Sequence, residues 1–452
     1  MHKEMDMTNG NILKKIIIYA IPLVFTGILQ LLYTAADLVI CGMFGSPNST
    51  AAISSTGSLV GLIVNLFMGL SVGANVLMAR CYGEKNKEKG QRVVYTSMVF
   101  SILVGVIVGT FGFFFSRYFL EMMGTTSDVI DLSTQYLKIY FIGLPFMMIY
   151  NFGASILRAT GDTKRPFIYL SSSGLFNVLF NILFVVGFKM DVPGVALGTI
   201  LSQLIASIFI IRHLLKSNGF FRFKIKELKL YGREAYEIAR IGLPAGLQGV
   251  IFSLSNVLIQ SSINSLGTDV VGGNGAAGSL EGFIYISMNA IAQSCVAFVS
   301  ANYGAKNKEN IKNVVRYSLG LVVLMNLIIG SIILTFQHEL LGLYVHTDAA
   351  FEAGLQKLII LTTTYFLCGF MDVFANSLRG IGYSVLPMIV SLIGVCGIRV
   401  FWVFIMFPIE EFHSISGLAI SYPISWIITS IIHLICFILM FKKIKFPKSI
   451  EE

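Results

Sequence analysis

Long apolar runs recur almost without interruption from residue 12 to residue 441 of this chain. A helix satisfies its own backbone hydrogen bonds in hydrocarbon, and it needs roughly 20 mostly apolar residues to cross a bilayer. Twelve stretches meet that length, near residues 12–43, 50–79, 92–116, 130–157, 167–188, 193–215, 236–265, 276–300, 314–335, 352–378, 386–407 and 416–441. The expected fold class is an all-α membrane protein with twelve transmembrane helices. Composition agrees, because a chain that is 55% hydrophobic and only 13% charged is too apolar for a water-soluble domain. The first run follows Lys14 and Lys15 but is not closed by a small-residue cleavage pattern, so it reads as a retained helix.

The formal charge of +9 would suggest nucleic acid if it were gathered on a soluble domain. Instead it is sorted by side of the membrane. Basic residues follow the even-numbered runs: Arg80, Lys85, Lys87, Lys89 and Arg92 after the second, Arg158, Lys164 and Arg165 after the fourth. The segment from Arg212 to Arg240 carries eight, and Lys306 to Arg316 adds four. Arg117, Lys138, Lys189 and Lys357 fall on the other side and Arg399 within a run, which leaves 28 of 33 basic residues on one face. The positive-inside rule places that face, with both termini, in the cytoplasm of a cell (inner) membrane. The six cysteines and six histidines are scattered without a CxxC pair, so neither a disulfide framework nor a zinc or haem site is expected.

The chain repeats itself. At an offset of 221 residues, Gly57–Glu88 aligns with Gly278–Glu309 with 11 of 32 positions identical, including YGEKNKE against YGAKNKE. LRATGDTKRP (157–166) pairs with LRGIGYSVLP (378–387), GVALGTILSQ (194–203) pairs with GLAISYPISW (417–426), and Pro22 pairs with Pro244. Six runs per copy make the copies parallel, which predicts two pseudo-symmetric six-helix lobes: residues 1–215, a basic linker 216–233, and residues 234–452. Two such lobes suit transport by alternating access.

Ionisable groups inside a membrane are costly and therefore functional candidates, and those that break the repeat stand out. Asp37 aligns with Ile259, Glu281 with Val60 and Asp372 with Asn151, while Arg399 falls opposite the region of Asn177. Gln30, Tyr33 and Asp37 share one face of the first helix, and Pro22 lets that helix bend. A carboxylate there is suited to a proton or cation switch, because its charge is unfavourable in hydrocarbon until a proton or an ion joins it. Asn177 and Asn181 lie one turn apart on the fifth run, and Thr199 is the nearest hydroxyl on the sixth. Their oxygens are hard ligands suited to Na⁺, equally able to hold a protonated acid, and also a common form of helix-packing glue. Glu281 is a second acid for a proton or substrate cation, or the partner of a buried donor such as Arg399 or a tyrosine. Asp372 and Arg399 read as a structural ion pair, and Gly69 with Gly73 reads as close helix packing.

The prolines of the first and seventh runs, GLSVGANVLMARCYGEKN, LRATGDTKRP and LRGIGYSVLP resemble the MATE (multidrug and toxic compound extrusion) transporters, of the bacterial NorM/DinF-like type, over essentially the whole chain. The resemblance implies secondary active export of organic, often cationic, drugs by antiport against Na⁺ or H⁺, with no other cofactor and no enzymatic activity. It also implies a coupling site at Asp37, Asn177, Asn181 and Thr199, where Na⁺ would be the metal; the residues themselves, apart from the resemblance, suggest Gln30, Tyr33 and Glu281 in substrate or supporting roles and Pro22 as hinge. Archaeal-type members carry a second acid where this chain has Asn181, and NorM-type members carry an acid on the seventh span, which here has none. Expected partners are the drugs, the coupling ion and the bilayer, not nucleic acid, and the chain is expected to act as a monomer. A flippase for lipid-linked sugars would need a cationic chamber, for which only Arg399 is available. A membrane-embedded lipid-modifying enzyme would need a catalytic motif of the HExxH or GxSxG kind, and none is present.

Overall fold

The computed structural model describes residues 5–217, 223–444 and 446, so residues 218–222 of the expected linker and the outermost residues of both termini lie outside the described residues. Among the described residues, twelve helices are long and apolar enough to cross a membrane: α1 Ile12–Phe44, α2 Ser49–Gly83, α3 Lys87–Met122, α4 Ser127–Arg158, α5 Lys164–Gly187, α6 Asp191–Lys216, α7 Gly232–Asn264, α8 Thr268–Gly304, α9 Lys308–Thr335, α10 Asp348–Gly380, α11 Val385–Met406 and α12 Ile415–Lys443. Large apolar side chains such as Phe114, Ile107, Phe404 and Leu327 are exposed on these helices. With hydrocarbon as solvent, such exposure carries no hydrophobic penalty, and close packing of small residues holds helices together instead.

The chain divides into two compact units, one holding residues 1–6 and 21–243, the other residues 7–20 and 244–452. In the first, Gly105, Gly109 and Gly112 form a ridge on α3 that lets the backbone of α4 at Phe141 and Pro145 approach closely. A side chain at any of these glycines would strike α4. Gly73 on α2 and Gly242 on α7 do the same, each with no room for a β-carbon against the other helix's backbone. In the second unit Gly273 on α8 meets Gly354 on α10, and Gly369 of α10 receives Val322 of α9. The start of the chain joins this unit: Met7 is fully buried, its carbonyl accepts from Asn302 at 3.0 Å, and Tyr19 packs edge-on against Phe298.

The repeated motifs prove to be turn chemistry. Lys85 and Lys306 both adopt a left-handed backbone, and the following Asn86 and Asn307 each cap the next helix by accepting from the backbone N–H three residues on, at 3.0 Å. Glu88 and Glu309 then sit in the first helical turn, where negative charge is favoured. Gly161 and Gly382, in the LRATGD and LRGIGY turns, both have positive φ.

Two of the basic residues counted by membrane side are buried within the second unit. Lys357 is 7% exposed in the first turns of α10, and Arg379 is 8% exposed in its last turn.

Candidate ion-coupling site

The site grows from three helices of the first unit. α5 is α-helical through Asn181 and then widens into a π-helix over Ile182–Gly187, a geometry that recurs at Trp402–Met406 in the second unit. Asn177 and Asn181, one turn apart at the end of the α-helical part, are 4% and 0% exposed. Asn181 Nδ2 donates to Asp37 Oδ1 of α1 at 2.5 Å, and Asn177, one turn earlier on α5, faces the same carboxylate. Asn181 turns its other face to α6, where only the absence of a side chain at Gly198 leaves room for its carbonyl. Thr199 follows Gly198 directly.

What these groups leave unmade is as informative as what they make. Asn177 Oδ1, Asn181 Oδ1 and Thr199 Oγ1 are all buried and have no hydrogen-bond partner. A buried acceptor without a partner costs about 1–3 kcal/mol, and buried polar atoms in folded proteins are nearly always paired. Three such oxygens lie on α5 and α6, and Asn181 of α5 is the residue bonded to the Asp37 carboxylate. A carboxylate with amide and hydroxyl oxygens is of the hard-oxygen kind that suits a cation, and the same groups can hold a protonated acid.

Tyr33, one turn before Asp37, lies with its ring on Gly174 of α5 and donates its hydroxyl to the Leu170 and Ser171 carbonyls at 3.2 and 3.4 Å. It docks α1 on α5 and so steadies Asp37. Gln30 is exposed and is not brought to the cluster. Pro22 lies inside α1, its carbonyl accepting from Thr26 Oγ1 at 2.7 Å. Gly198, whose missing side chain makes room for the Asn181 carbonyl, carries no signal in the sequence, and the buried Tyr136 of α4, within electrostatic reach of Asp37, carries none either. Each meets the site from a different helix.

Glu281 belongs to the second unit. Its Oε1 lies 3.4 Å from Lys357 Nζ, both side chains being nearly inaccessible. This pair replaces the expected partnership of Glu281 with Arg399 or a tyrosine. The expected Asp372–Arg399 pair is also corrected: no ion pair joins them among the described residues. Arg399 Nη1 donates to Asn256 Oδ1 at 3.2 Å and its guanidinium stacks 4.1 Å from the Tyr422 ring. The charge that acts on Asp372 is Arg379, two turns further along α10, which also donates to Gln248 Oε1 at 2.5 Å and Asn376 Oδ1 at 3.1 Å.

A multi-pass membrane protein built as two parallel six-helix copies has the plan of a secondary transporter. The sequence profile of the MatE family matches residues 22–183 and again residues 244–405, and the chain belongs to this family, the MATE transporters. It is similar to the probable multidrug resistance proteins YoeA and YpnP of Bacillus subtilis (strain 168). YoeA is 25% identical over 420 residues, covering 91% of this chain and 90% of the relative, and YpnP is 27% identical over 403 residues, covering 89% and 88%. The multidrug export protein MepA of Staphylococcus aureus (strain NCTC 8325 / PS 47) is 23% identical over 371 residues, 82% of each chain. Among solved structures, an outward-facing conformation of a multidrug resistance MATE family transporter of the MOP superfamily superposes with a TM-score of 0.91 at 21% identity, over 99% of this chain and 100% of that one. A MOP superfamily transporter from Pyrococcus furiosus, described as having a binding pocket of reversed polarity, gives a TM-score of 0.88 at 21% identity over 98% and 99%. These likenesses establish the fold.

Proposed function

We propose that the chain is a secondary active multidrug exporter that expels organic, often cationic, compounds in exchange for an inward-moving ion. Asp37, Asn177, Asn181 and Thr199 form its coupling site. The observation that supports this reading is the Asp37 carboxylate bonded to buried Asn181, with partnerless buried oxygens on Asn177 and Asn181 of α5 and Thr199 of α6. Na⁺ answers that set better than H⁺ does, because a proton occupies one oxygen and leaves the others unmet, whereas a hard cation collects several. The names of YoeA, YpnP and MepA support the drug substrates. The charge sorting of the loops supports cytoplasmic termini.

In this mechanism the ion enters the site from outside, neutralises Asp37 and draws α1 toward α5 and α6. Pro22, which removes one backbone hydrogen bond from α1, is the point at which the helix yields. The driving force is adequate. A single charge falling through 100 mV releases about 2.3 kcal/mol, and a tenfold ion gradient adds about 1.4 kcal/mol. Together they sustain a gradient of several hundredfold for an uncharged substrate. For a monovalent cationic drug exchanged one for one, the electrical parts cancel and only the chemical gradient works.

Dye efflux from proteoliposomes with Na⁺ and pH gradients imposed separately tests the reading. Efflux driven by the Na⁺ gradient and abolished in Asp37→Asn is expected. Efflux driven by pH alone would transfer the site to H⁺, and ion-driven efflux that survives in Asp37→Asn would remove the site altogether.

A further inference from the structure

The segment that leads into α7 is pinned to α3 at the level where α3 becomes apolar. Tyr231 N–H donates to Thr96 Oγ1 at 3.2 Å, Tyr95 OH donates to Glu227 Oε2 at 2.8 Å, and the buried Phe223 ring lies 5.9 Å from that of Tyr95. Arg92, one turn before Thr96, is the last charged residue of α3 until Arg117. The segment thus lies at the membrane surface, on the basic face. Its composition fits that plane. Ile225, Leu228, Leu230 and Tyr236 are 60, 37, 42 and 65% exposed, and exposed Lys224, Lys226 and Lys229 alternate with them. Exposed lysines beside exposed large apolar side chains suit a boundary that offers headgroups on one side and acyl chains on the other.

Between this segment and the start of α3 is a cavity of about 520 Å³. Lys89, Arg92, Lys229 and Arg233 line it, with Glu88 and Glu234 as the acids. Arg92 is held by Glu88 at 2.5 Å, while Lys89 and Arg233 share Glu237 at 3.9 and 3.5 Å. Lys229 has no carboxylate partner among the described residues. It and Arg92 instead flank Tyr231, each 5.6 Å from the ring centroid. The cavity also receives the N-terminus of α7, a 33-residue helix that begins at Gly232, whose partial positive charge favours an anion. Positive charge therefore exceeds negative in a cavity at the level of lipid headgroups.

We propose that this cavity, with residues 223–233, is a binding site for the phosphodiester headgroup of an anionic phospholipid. Lys229 and Arg233 hold the phosphate above Tyr231, and Ile225, Leu228 and Leu230 enter the acyl boundary alongside. The site stands independently of the export reading, because its evidence is confined to the surface end of the first unit.

Native mass spectrometry of the full-length protein, released from mixed phosphatidylglycerol and phosphatidylcholine micelles, tests it. The wild type should retain phosphatidylglycerol in preference, and the double variant K229Q/R233Q should bind it about thirtyfold more weakly, as expected for two basic residues at a membrane surface. Both residues are exposed, so the variant keeps its fold. The variant K442Q/K443Q removes the same charge from the exposed end of α12 and should leave the preference intact. Equal loss in both double variants would reduce the effect to net charge and overturn the site, as would undiminished retention in K229Q/R233Q. Competition by millimolar inorganic phosphate that displaces the lipid entirely would also overturn it, in favour of a site for a soluble anion.

Discussion

Asp37 has an amide donor held at 2.5 Å and neutral oxygens on the two helices beside it, so its behaviour depends on side chains that carry no charge. Under the proposed coupling role Asn181 offers its Oδ1 to the ion, and because a contact between a neutral dipole and a charge contributes about 1.5–3 kcal/mol, Asn181→Ala should weaken Na⁺ binding about ten- to a hundredfold, as read from the ion concentration that half-saturates efflux. Gly198→Ala touches no ion, yet its β-carbon would occupy the space of Asn181 Oδ1 and should give a similar weakening at unchanged expression. The buried Glu281–Lys357 pair makes a different prediction. Removing either partner strands the other and should lower stability by about 3–5 kcal/mol, whereas Glu281→Gln with Lys357→Met should regain most of it in thermal unfolding in detergent. A double variant as unstable as the sum of the single ones would assign Lys357 or Glu281 a partner beyond this pair. The four-residue spacing of Asn177 and Asn181, and the placement of Asp37 on a polar face, were legible because one helix determines them. Tyr136, Gly198 and Lys357 were not, because facing across helices leaves no trace in spacing along one of them. The Asp372–Arg399 expectation failed for the same reason. Adjacent spans do not reveal that Tyr422 and Asn256 have already engaged the guanidinium.

At the scale of elements, α1 has the most work to do. Its 33 residues span about 50 Å at 1.5 Å per residue, well beyond the hydrocarbon core. Residues up to Ala20 belong with the second unit and residues from Ile21 with the first, so the division falls two residues from Pro22. In α7 it falls directly before Pro244. Pro22→Ala restores the missing backbone hydrogen bond, and under the proposed mechanism it should leave ion binding within about twofold while slowing efflux severalfold. A variant with full transport would show that α1 need not bend there. Helix number and approximate ends were legible from hydropathy alone, and the Asn caps after Lys85 and Lys306 explain why the turns were so well marked in sequence. The π-helical turns of α5 and α11 were not legible, since widening by one residue per turn leaves an apolar run equally apolar.

At the scale of the whole molecule, duplication gives two similar frames with different chemistry. The first unit holds the Asp37 carboxylate and partnerless oxygens on α5 and α6, and the second holds the buried Glu281–Lys357 pair together with Arg379 and Arg399. The family profile matches both frames, so the exceptions to the repeat lie within a shared fold. Net charge movement adds a prediction at this scale. Imposing 100 mV should raise the steady gradient of an uncharged substrate about fiftyfold and leave that of a monovalent cation nearly unchanged, if one ion is exchanged per substrate. Ion coupling at Asp37 is read out by radiolabelled Na⁺ uptake into proteoliposomes loaded with substrate. Uptake should depend on substrate in the wild type and disappear in Asp37→Asn. Substrate-dependent Na⁺ uptake of equal size in both would contradict that coupling.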